Sequence, residues 1–249
     1  MIYTDITSRA LMNLTKRPGL HIDMTEALYR GLAEVLYAET DGVLQLVHRE
    51  GDGKPVLYQL SADTVETAQR LAPRLELRLP IVTHQPVSRD TAAARWSGSA
   101  VSEWVQACWP GFEPPPADTS VEIWPLDLGD LPVVAEHYRL IRDSEELAER
   151  ITSGNLYGAC VEDRVAGFVG IHAEGAVGML TVLEKYRGHG IGRALMTYII
   201  RRELRRGHIP YSQILRGNEV SLTLQRKAGL EPQPEPIWWV MPEGTGESG

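Results

Sequence analysis

Apolar and β-branched residues in the second half of the chain form short blocks with strand or helix periodicity. The blocks predict, in order, a strand, two helices, three strands, a helix, a strand, a helix and a strand, over residues 121–124, 131–137, 144–151, 157–162, 165–172, 177–183, 191–206, 211–215, 219–228 and 237–241. Three strands joined by tight turns and followed by two crossover units predict a mixed, mostly antiparallel sheet with helices on both faces. The expected fold class is therefore α/β, of the mixed α+β kind.

The first half of the chain repeats much of this order. The pattern predicts a helix, three strands, a second helix that begins after Ser61 as its cap and ends near Leu71, then a strand, a helix and a strand. The corresponding segments, apart from the second helix, are residues 25–34, 35–40, 43–49, 56–60, 79–83, 88–95 and 102–107. Residues 60–65, at the position of a glycine-rich loop in the second half, contain no glycine. We therefore expect a diverged repeat that lacks a phosphate-binding loop.

Proline divides the chain once, because four prolines occur within the seven residues 110–116 and exclude a helix there. The sequence predicts an N-terminal domain over residues 1–110, a linker over 111–118 and a second domain over 119–241. The polar, glycine-rich residues 242–249 are expected to be a disordered tail.

Composition excludes several classes of function. The 249 residues carry a formal net charge of -8, which gives no general reason to expect nucleic-acid binding. No apolar run approaches the length of a membrane span and no signal peptide is recognisable, so we expect a soluble, cytoplasmic protein without a membrane partner. Cys108 and Cys160 have no metal-type companions at short spacing, so neither a disulfide framework nor a metal site is expected. The oligomeric state cannot be deduced from the sequence.

Residues 187–192, Arg-Gly-His-Gly-Ile-Gly, connect a predicted strand to a predicted helix. Glycines allow positive φ and close approach of a ligand, so that successive amide N–H groups point into one concavity at the positive end of the helix dipole. Such a loop binds anions. By itself it is equally compatible with a dinucleotide or mononucleotide site, although no Gly-Lys-Ser/Thr follows it.

Residues 182–192 resemble the acyl-CoA loop of the GNAT N-acetyltransferase superfamily, whose core pattern Arg/Gln-x-x-Gly-x-Gly/Ala is matched fully. Residues 218–230 are similar to the strand–Asn–helix–Gly-hydrophobic segment of that superfamily, at the expected distance. The resemblance covers roughly residues 119–241 and implies a GNAT-type sheet, preceded here by a diverged GNAT-like half. Two-part glycine N-acyltransferase-like members are similar more weakly.

The resemblance implies an N-acyltransferase that uses acetyl-CoA, or another acyl-CoA, as co-substrate and needs no metal. The acyl group would pass directly to the amine of a small molecule, with the thioester lying in a splay between two parallel strands. The implied cofactor contacts are Leu180, Val182, Arg187, Gly188, His189, Gly190, Ile191, Gly192, Arg193 and Asn218. Backbone groups near Val182 would align the pantetheine, and the loop N–H groups would hold the pyrophosphate. Asn218 could alternatively serve only as a helix cap.

A general base is needed to remove a proton from an ammonium nucleophile. Many family members place it at positions that correspond to Ala176 and Gly178, and neither residue can serve. Counting back along the strand by twos keeps the same face and makes Glu174 the first candidate and His172 the second. The alternative is that both are turn residues, exposed at a hairpin tip.

The family's usual tyrosine, which protonates the departing thiolate, corresponds to Gln225, and glutamine cannot act as an acid. The thiolate would then leave without side-chain protonation, through water, or with help from Tyr211 or Tyr198. These absences motivate a second hypothesis, a non-catalytic acyl-CoA-binding or regulatory module.

Overall fold

The computed structural model of this protein describes residues 5–138, 141 and 144–243. Its helices are α1 Asp5–Leu14, α2 Ile22–Tyr29, α3 Val65–Leu71, α4 Pro86–Arg95, α5 Leu131–His137, α6 Ser144–Thr152, α7 Ile191–Arg205 and α8 Glu219–Ala228. Its strands are β1 Ala33–Glu39, β2 Gly42–His48, β3 Pro55–Ala62, β4 Ile81–Thr83, β5 Ala100–Cys108, β6 Glu122–Pro125, β7 Leu156–Val161, β8 Arg164–Ile171, β9 Val177–Val182, β10 Tyr211–Leu215 and β11 Glu231–Met241. The order predicted for the second half is confirmed.

The first half differs from the prediction at three helices. Helix α1 was not anticipated, and α2 ends at Tyr29, whereas a helix was predicted over residues 25–34. Ser61 does not cap α3, because it is buried inside β3, where its hydroxyl lies 3.0 Å from Nε2 of His21. Thr64 caps α3 instead, and its side-chain oxygen accepts a hydrogen bond from the Thr67 amide at 3.2 Å. The tail predicted at 242–249 falls mainly on residues 244–249, which lie outside the described residues.

The strands form two sheets rather than one continuous sheet. Strands β6, β7, β8 and β9 make an antiparallel four-stranded sheet, and the larger sheet has the order β1-β2-β3-β4-β11-β5-β10. The ladder between β3 and β4 is parallel, whereas the other ladders are antiparallel. The mixed, mostly antiparallel fold class is confirmed. Among the described residues, no helix combines the length and apolarity needed to cross a bilayer.

The two halves exchange their closing strands. Strand β5 ends the first half but pairs with β10 of the second, and β11 ends the second half but pairs with β4 of the first. The two closing strands also pair with each other. Strand β11 is longer than predicted, and its register breaks between Pro232 and Pro236 because proline cannot donate to a ladder. The proline-rich boundary along the chain therefore does not divide the sheet.

Candidate active site

The loop before α7 exposes backbone amides. Gly188 and Gly190 have φ of +80° and +81°, a conformation that glycine adopts without strain, and no atom lies within 4 Å of where a Cβ would stand on either. Gly190 occupies the cap position of α7 and has no side chain to satisfy the first-turn N–H groups. The loop therefore presents an open array of donors at the positive end of the helix dipole.

Gly192 has a different role from the other two loop glycines. A Cβ on it would lie 3.2 Å from Cδ2 of Leu224 in α8 and 3.4 Å from Cγ2 of Val182 in β9. Its missing side chain lets the first turn of α7 sit close to both elements. The N–H array is thus held directly beyond the end of β9.

Most of the loop's charged side chains bond to the protein itself. Nε of Arg187 donates to the carbonyl of Val182 at 3.3 Å, and the Arg193 guanidinium lies 3.3 Å from the carboxylate of Asp118. Hydrogen bonds from Ser120 and the charge of Arg193 hold the pKa of Asp118 below its usual value. The backbone amides, rather than these side chains, are the open groups of the loop.

Three further predicted cofactor residues have local contacts in the structure. Nδ1 of His189 lies 3.3 Å from the carbonyl oxygen of Tyr186. Ile191 is buried in the core under α7. Asn218 caps α8, with its side-chain oxygen accepting from the Ser221 amide at 3.1 Å. A cofactor contact at Asn218 would therefore add to a structural role.

Strand β9 carries a bulge that the sequence did not reveal. Gly178 pairs with Gly170 and Thr181 pairs with Phe168, so Met179 and Leu180 both stand opposite a single residue of β8. Met179 has φ of +53°, which is uncommon for a residue other than glycine. A bulge bends the strand that contains it. No sequence signal marks the site, because methionine is not typical of this conformation.

The bulge in β9 lies where the two sheets separate, between β9 and β10. Strands β9 and β10 come within 8 Å of each other at their Cα atoms, yet each is an edge strand of a different sheet. In the first half, the corresponding strands β3 and β4 are joined by a parallel ladder. The second half therefore has a gap between β9 and β10, here called the passage, where the first half has a ladder.

The passage lies between two faces with different surroundings. Leu180 and Val182 pack toward α7, whose first turn follows the glycine loop. Met179 packs on the opposite face, among residues of α5 and α6. A ligand that binds the loop and passes between β9 and β10 would emerge on the face of α5 and α6.

His172 lies on that second face. It follows β8, and a Cβ on Gly178 would lie 2.1 Å from Nε2 of His172, so the imidazole occupies the space of a side chain at position 178. Burial lowers the pKa of His172, although the charge of Glu174 opposes the shift. The ring is therefore neutral near pH 7 and able to accept a proton.

The prediction that Glu174 and His172 share a strand face with Ala176 assumed that the strand extends back to these residues. This assumption is wrong, because β9 begins only at Val177 and residues 172–176 form a tight turn. The turn is closed by a hydrogen bond from the Gly175 amide to the His172 carbonyl at 2.9 Å. The alternative of an exposed turn is also wrong for Glu174, which is 7% exposed.

Tyr211, the first residue of β10, fastens this turn to the larger sheet. Its hydroxyl donates to the backbone carbonyl of Glu174 at 2.9 Å, and the ring is fully buried. Burial and the charge of Glu174 raise the pKa of Tyr211 well above its ordinary value. Burial also raises the pKa of Tyr198. Both phenols are thus weaker acids than free tyrosine.

Gln225 is buried on α8, at the position where the family's tyrosine is expected. Its Nε2 donates to the Ser221 hydroxyl at 3.3 Å, and its Oε1 has no hydrogen-bond partner among the described residues.

Helix α2 of the first half covers the face on which His172 lies. Ile22 packs with Ala176 and Tyr211, and the Gln213 amide donates to the carboxylate of Asp23 at 3.4 Å. The first half of the chain therefore borders the space next to His172, on the α5 and α6 side of the passage.

Comparison with known families and structures agrees with this geometry. The sequence profile described as the acetyltransferase (GNAT) family matches residues 99–229, a stretch that begins at β5 and so includes the exchanged strand. No curated protein matches the chain in sequence.

Several solved structures share the fold over nearly the whole chain. A Drosophila protein superposes with a TM-score of 0.62 at 14% identity, covering 94% of both chains. A GCN5-related N-acetyltransferase from Sphaerobacter thermophilus has a TM-score of 0.53 at 15% identity, covering 94% of this chain and 92% of its own. A GCN5-related N-acetyltransferase-like protein from Streptococcus suis has a TM-score of 0.52 at 16% identity, covering 92% of this chain and 99% of its own. At these identities the likeness concerns the fold alone.

Proposed function

The chain belongs to the acetyltransferase (GNAT) family, and on that basis we propose that it transfers an acetyl group from acetyl-CoA to the amine of a small molecule. The observation that carries the proposal is the open array of N–H groups at Gly188 and Gly190, directly beyond a strand that is separated from its neighbour. The array suits a pyrophosphate and the opening suits a pantetheine arm.

The proposed cofactor site comprises the backbone of Leu180 and Val182, the loop from Arg187 to Gly192, and the flanking side chains of Arg193 and Asn218. The bulge at Met179 interrupts the ladder between β8 and β9, so backbone amides near it are available to a carbonyl oxygen. We propose that one such amide stabilises the oxyanion of the tetrahedral intermediate. Residues 119–241 would carry this site, and β5 of the first half would complete its sheet.

His172 is the general base of this proposal. A proton passes from the acceptor's ammonium group to the neutral imidazole, and the amine nitrogen then bonds to the thioester carbonyl carbon. The oxyanion collapses, the C–S bond breaks and CoA leaves as a thiolate, which takes up, through water, the second proton that the acylated nitrogen releases. Glu174 lies close enough for its charge to raise the pKa of His172, and would stabilise the imidazolium that forms.

The glycine loop provides a matched test. Gly190 and Gly207 lie at the two ends of α7, both with φ of +81° and both with open space at the position that a Cβ would take. Replacing either by alanine therefore introduces the same backbone strain, of about 1 kcal/mol. Only Gly190→Ala places a methyl group and a distorted amide where the pyrophosphate would bind.

We expect Gly190→Ala to weaken acetyl-CoA binding at least tenfold by calorimetry, while Gly207→Ala keeps the affinity of the unmodified protein. Equal affinities in both variants would contradict the proposed cofactor site. Release of CoA thiol with a panel of small amines tests the catalytic step separately. Tight binding without thiol release from any amine would favour the binding-module hypothesis instead.

A further inference from the structure

A cavity of about 330 Å³ lies between the first half of the chain and the turn that joins β8 to β9. Its lining includes His172 and Gly175 of the turn, Arg150 near the end of α6, and Arg30, which directly follows α2. Small-molecule sites in proteins are commonly of this size or larger. The proposed base therefore borders a space that is large enough for a small acceptor.

Arg30 is buried and incompletely bonded. Its side chain is 7% exposed, and its Nη1 donates to Oε2 of Glu203 at 2.8 Å. Its Nε and Nη2 have no hydrogen-bond partner among the described residues, although Nε lies 3.4 Å from Oε2 of Glu26. A buried guanidinium normally has its donors satisfied, so Nε and Nη2, both shielded from solvent, are unused donors.

Arg30 also contacts the turn formed by residues 172–176. A Cβ on Gly175 would lie 2.8 Å from both Cδ and Nε of Arg30. The incompletely bonded guanidinium of Arg30 is thereby placed against residues 172–176, the segment that carries His172.

Arg150 is a second buried arginine on the lining of the cavity. Its side chain is 10% exposed, Nη2 donates to Oε1 of Glu146 at 3.2 Å, and Nε has no partner within the part of the chain that the structure describes. The cavity is thus bordered by two buried guanidinium groups with unused donors.

Net charge does not single out this site, because carboxylates pair with its arginines. Arg30 forms ion pairs with Glu203 and Glu26, and Arg150 forms one with Glu146. The cavity lining itself also includes the acidic residues Glu50, Asp52 and Glu149. What distinguishes Arg30 and Arg150 is that their ion pairs leave buried donors unused.

We infer that the acceptor amine carries a carboxylate, which Arg30 and Arg150 bind while the amine lies at His172. Two guanidinium groups with free donors suit a carboxylate, which accepts several hydrogen bonds in one plane. The inference deepens the proposed function and rests on it, since it names the acceptor class of the same site.

The test compares isosteric acceptors that differ only in charge. The acids are β-alanine, 4-aminobutanoate and 4-(aminomethyl)benzoate, and each is paired with its own amide. We expect kcat/KM for each accepted acid to exceed that for its amide at least tenfold, the effect of losing a charge-assisted hydrogen bond. This comparison uses the unmodified protein and depends on no variant folding correctly.

Arg150→Gln should lower the acid-to-amide ratio at least fivefold, mainly through a higher KM for the acid. The matched control is Arg205→Gln, which removes the same charge from an exposed position outside the cavity. Arg205→Gln should keep the ratio of the unmodified protein.

Two results would overturn the inference and remain distinguishable. Equal turnover of acids and amides would refute the carboxylate while leaving acetyl transfer intact. If no amine releases CoA thiol although acetyl-CoA binds, the proposed function fails, and the inference fails with it.

Discussion

The imidazole of His172 occupies the space that a side chain at Gly178 would need, since a Cβ there would fall 2.1 Å from Nε2. The two positions are therefore alternatives. A side chain at position 178 and the observed position of the His172 ring exclude each other sterically. This chain has the histidine at position 172 and a glycine at position 178.

Gly178→Ala should displace His172 and lower kcat at least tenfold, because a general base contributes about two to four orders of magnitude. The affinity for acetyl-CoA should change little, since the loop is at the other end of β9. Steady-state kinetics and calorimetry check both expectations. A kcat equal to that of the unmodified protein would show that His172 does not act as the base.

The pH dependence of turnover should follow the lowered pKa of His172. Only the neutral ring accepts a proton, and its folded-state pKa lies below the ordinary value of 6.5. At saturating substrates, kcat should be constant from about pH 7 to about pH 8 and decline only below pH 6.5. His172→Gln should abolish this acidic limb, and a limb that persists in the variant would assign it to another group.

Glu174→Gln should lower turnover more than it changes affinity for acetyl-CoA, because the carboxylate supports the imidazolium and does not reach the loop. Removing its charge also removes the influence that raises the pKa of His172, so the acidic limb should move to lower pH. Turnover unchanged across the whole pH range would remove Glu174 from the mechanism.

The bulge can be tested with two isomeric side chains. Met179→Ile and Met179→Leu bury similar volumes, but a β-branched residue is strained at positive φ. Met179→Ile should be less stable than Met179→Leu by about 1–2 kcal/mol in urea unfolding. It should also raise KM for acetyl-CoA if the bulge shapes the pantetheine passage. Equal stability of the two variants would contradict the backbone assignment.

Acid should destabilise the fold through His21. Burial and the neighbouring His84 lower the pKa of His21 to about 3. Between pH 6.5 and 3 the unfolded chain therefore binds a proton that the folded chain does not, so stability is present above pH 6.5 and lost as pH falls. At pH 5 the loss should be about 1–2 kcal/mol. Urea unfolding of His21→Gln should show a smaller loss over the same interval, and an identical loss would exclude His21 as its source.

The sequence by itself determined the order of elements in the second half, the glycine loop and the family. These features are local: helical spacing in α7, strand patterning in β7 and β8, and the glycines of residues 187–192 each depend on residues a few positions apart. The loop pattern was also sufficient to suggest the cofactor, because anion binding there uses backbone amides whose geometry glycine permits.

Only the tertiary structure decided which strands pair and what lies beside the loop. Patterning cannot reveal that β5 is placed between β10 and β11, because ladder partners are chosen by distant segments. The bulge at Met179 has no local signal, and His172 reaches Gly178 only because β8 and β9 pair at that register. The guanidinium groups of Arg30 and Arg150, each with an unused donor, come from opposite halves of the chain. They meet at one cavity because the exchanged strands hold those halves together.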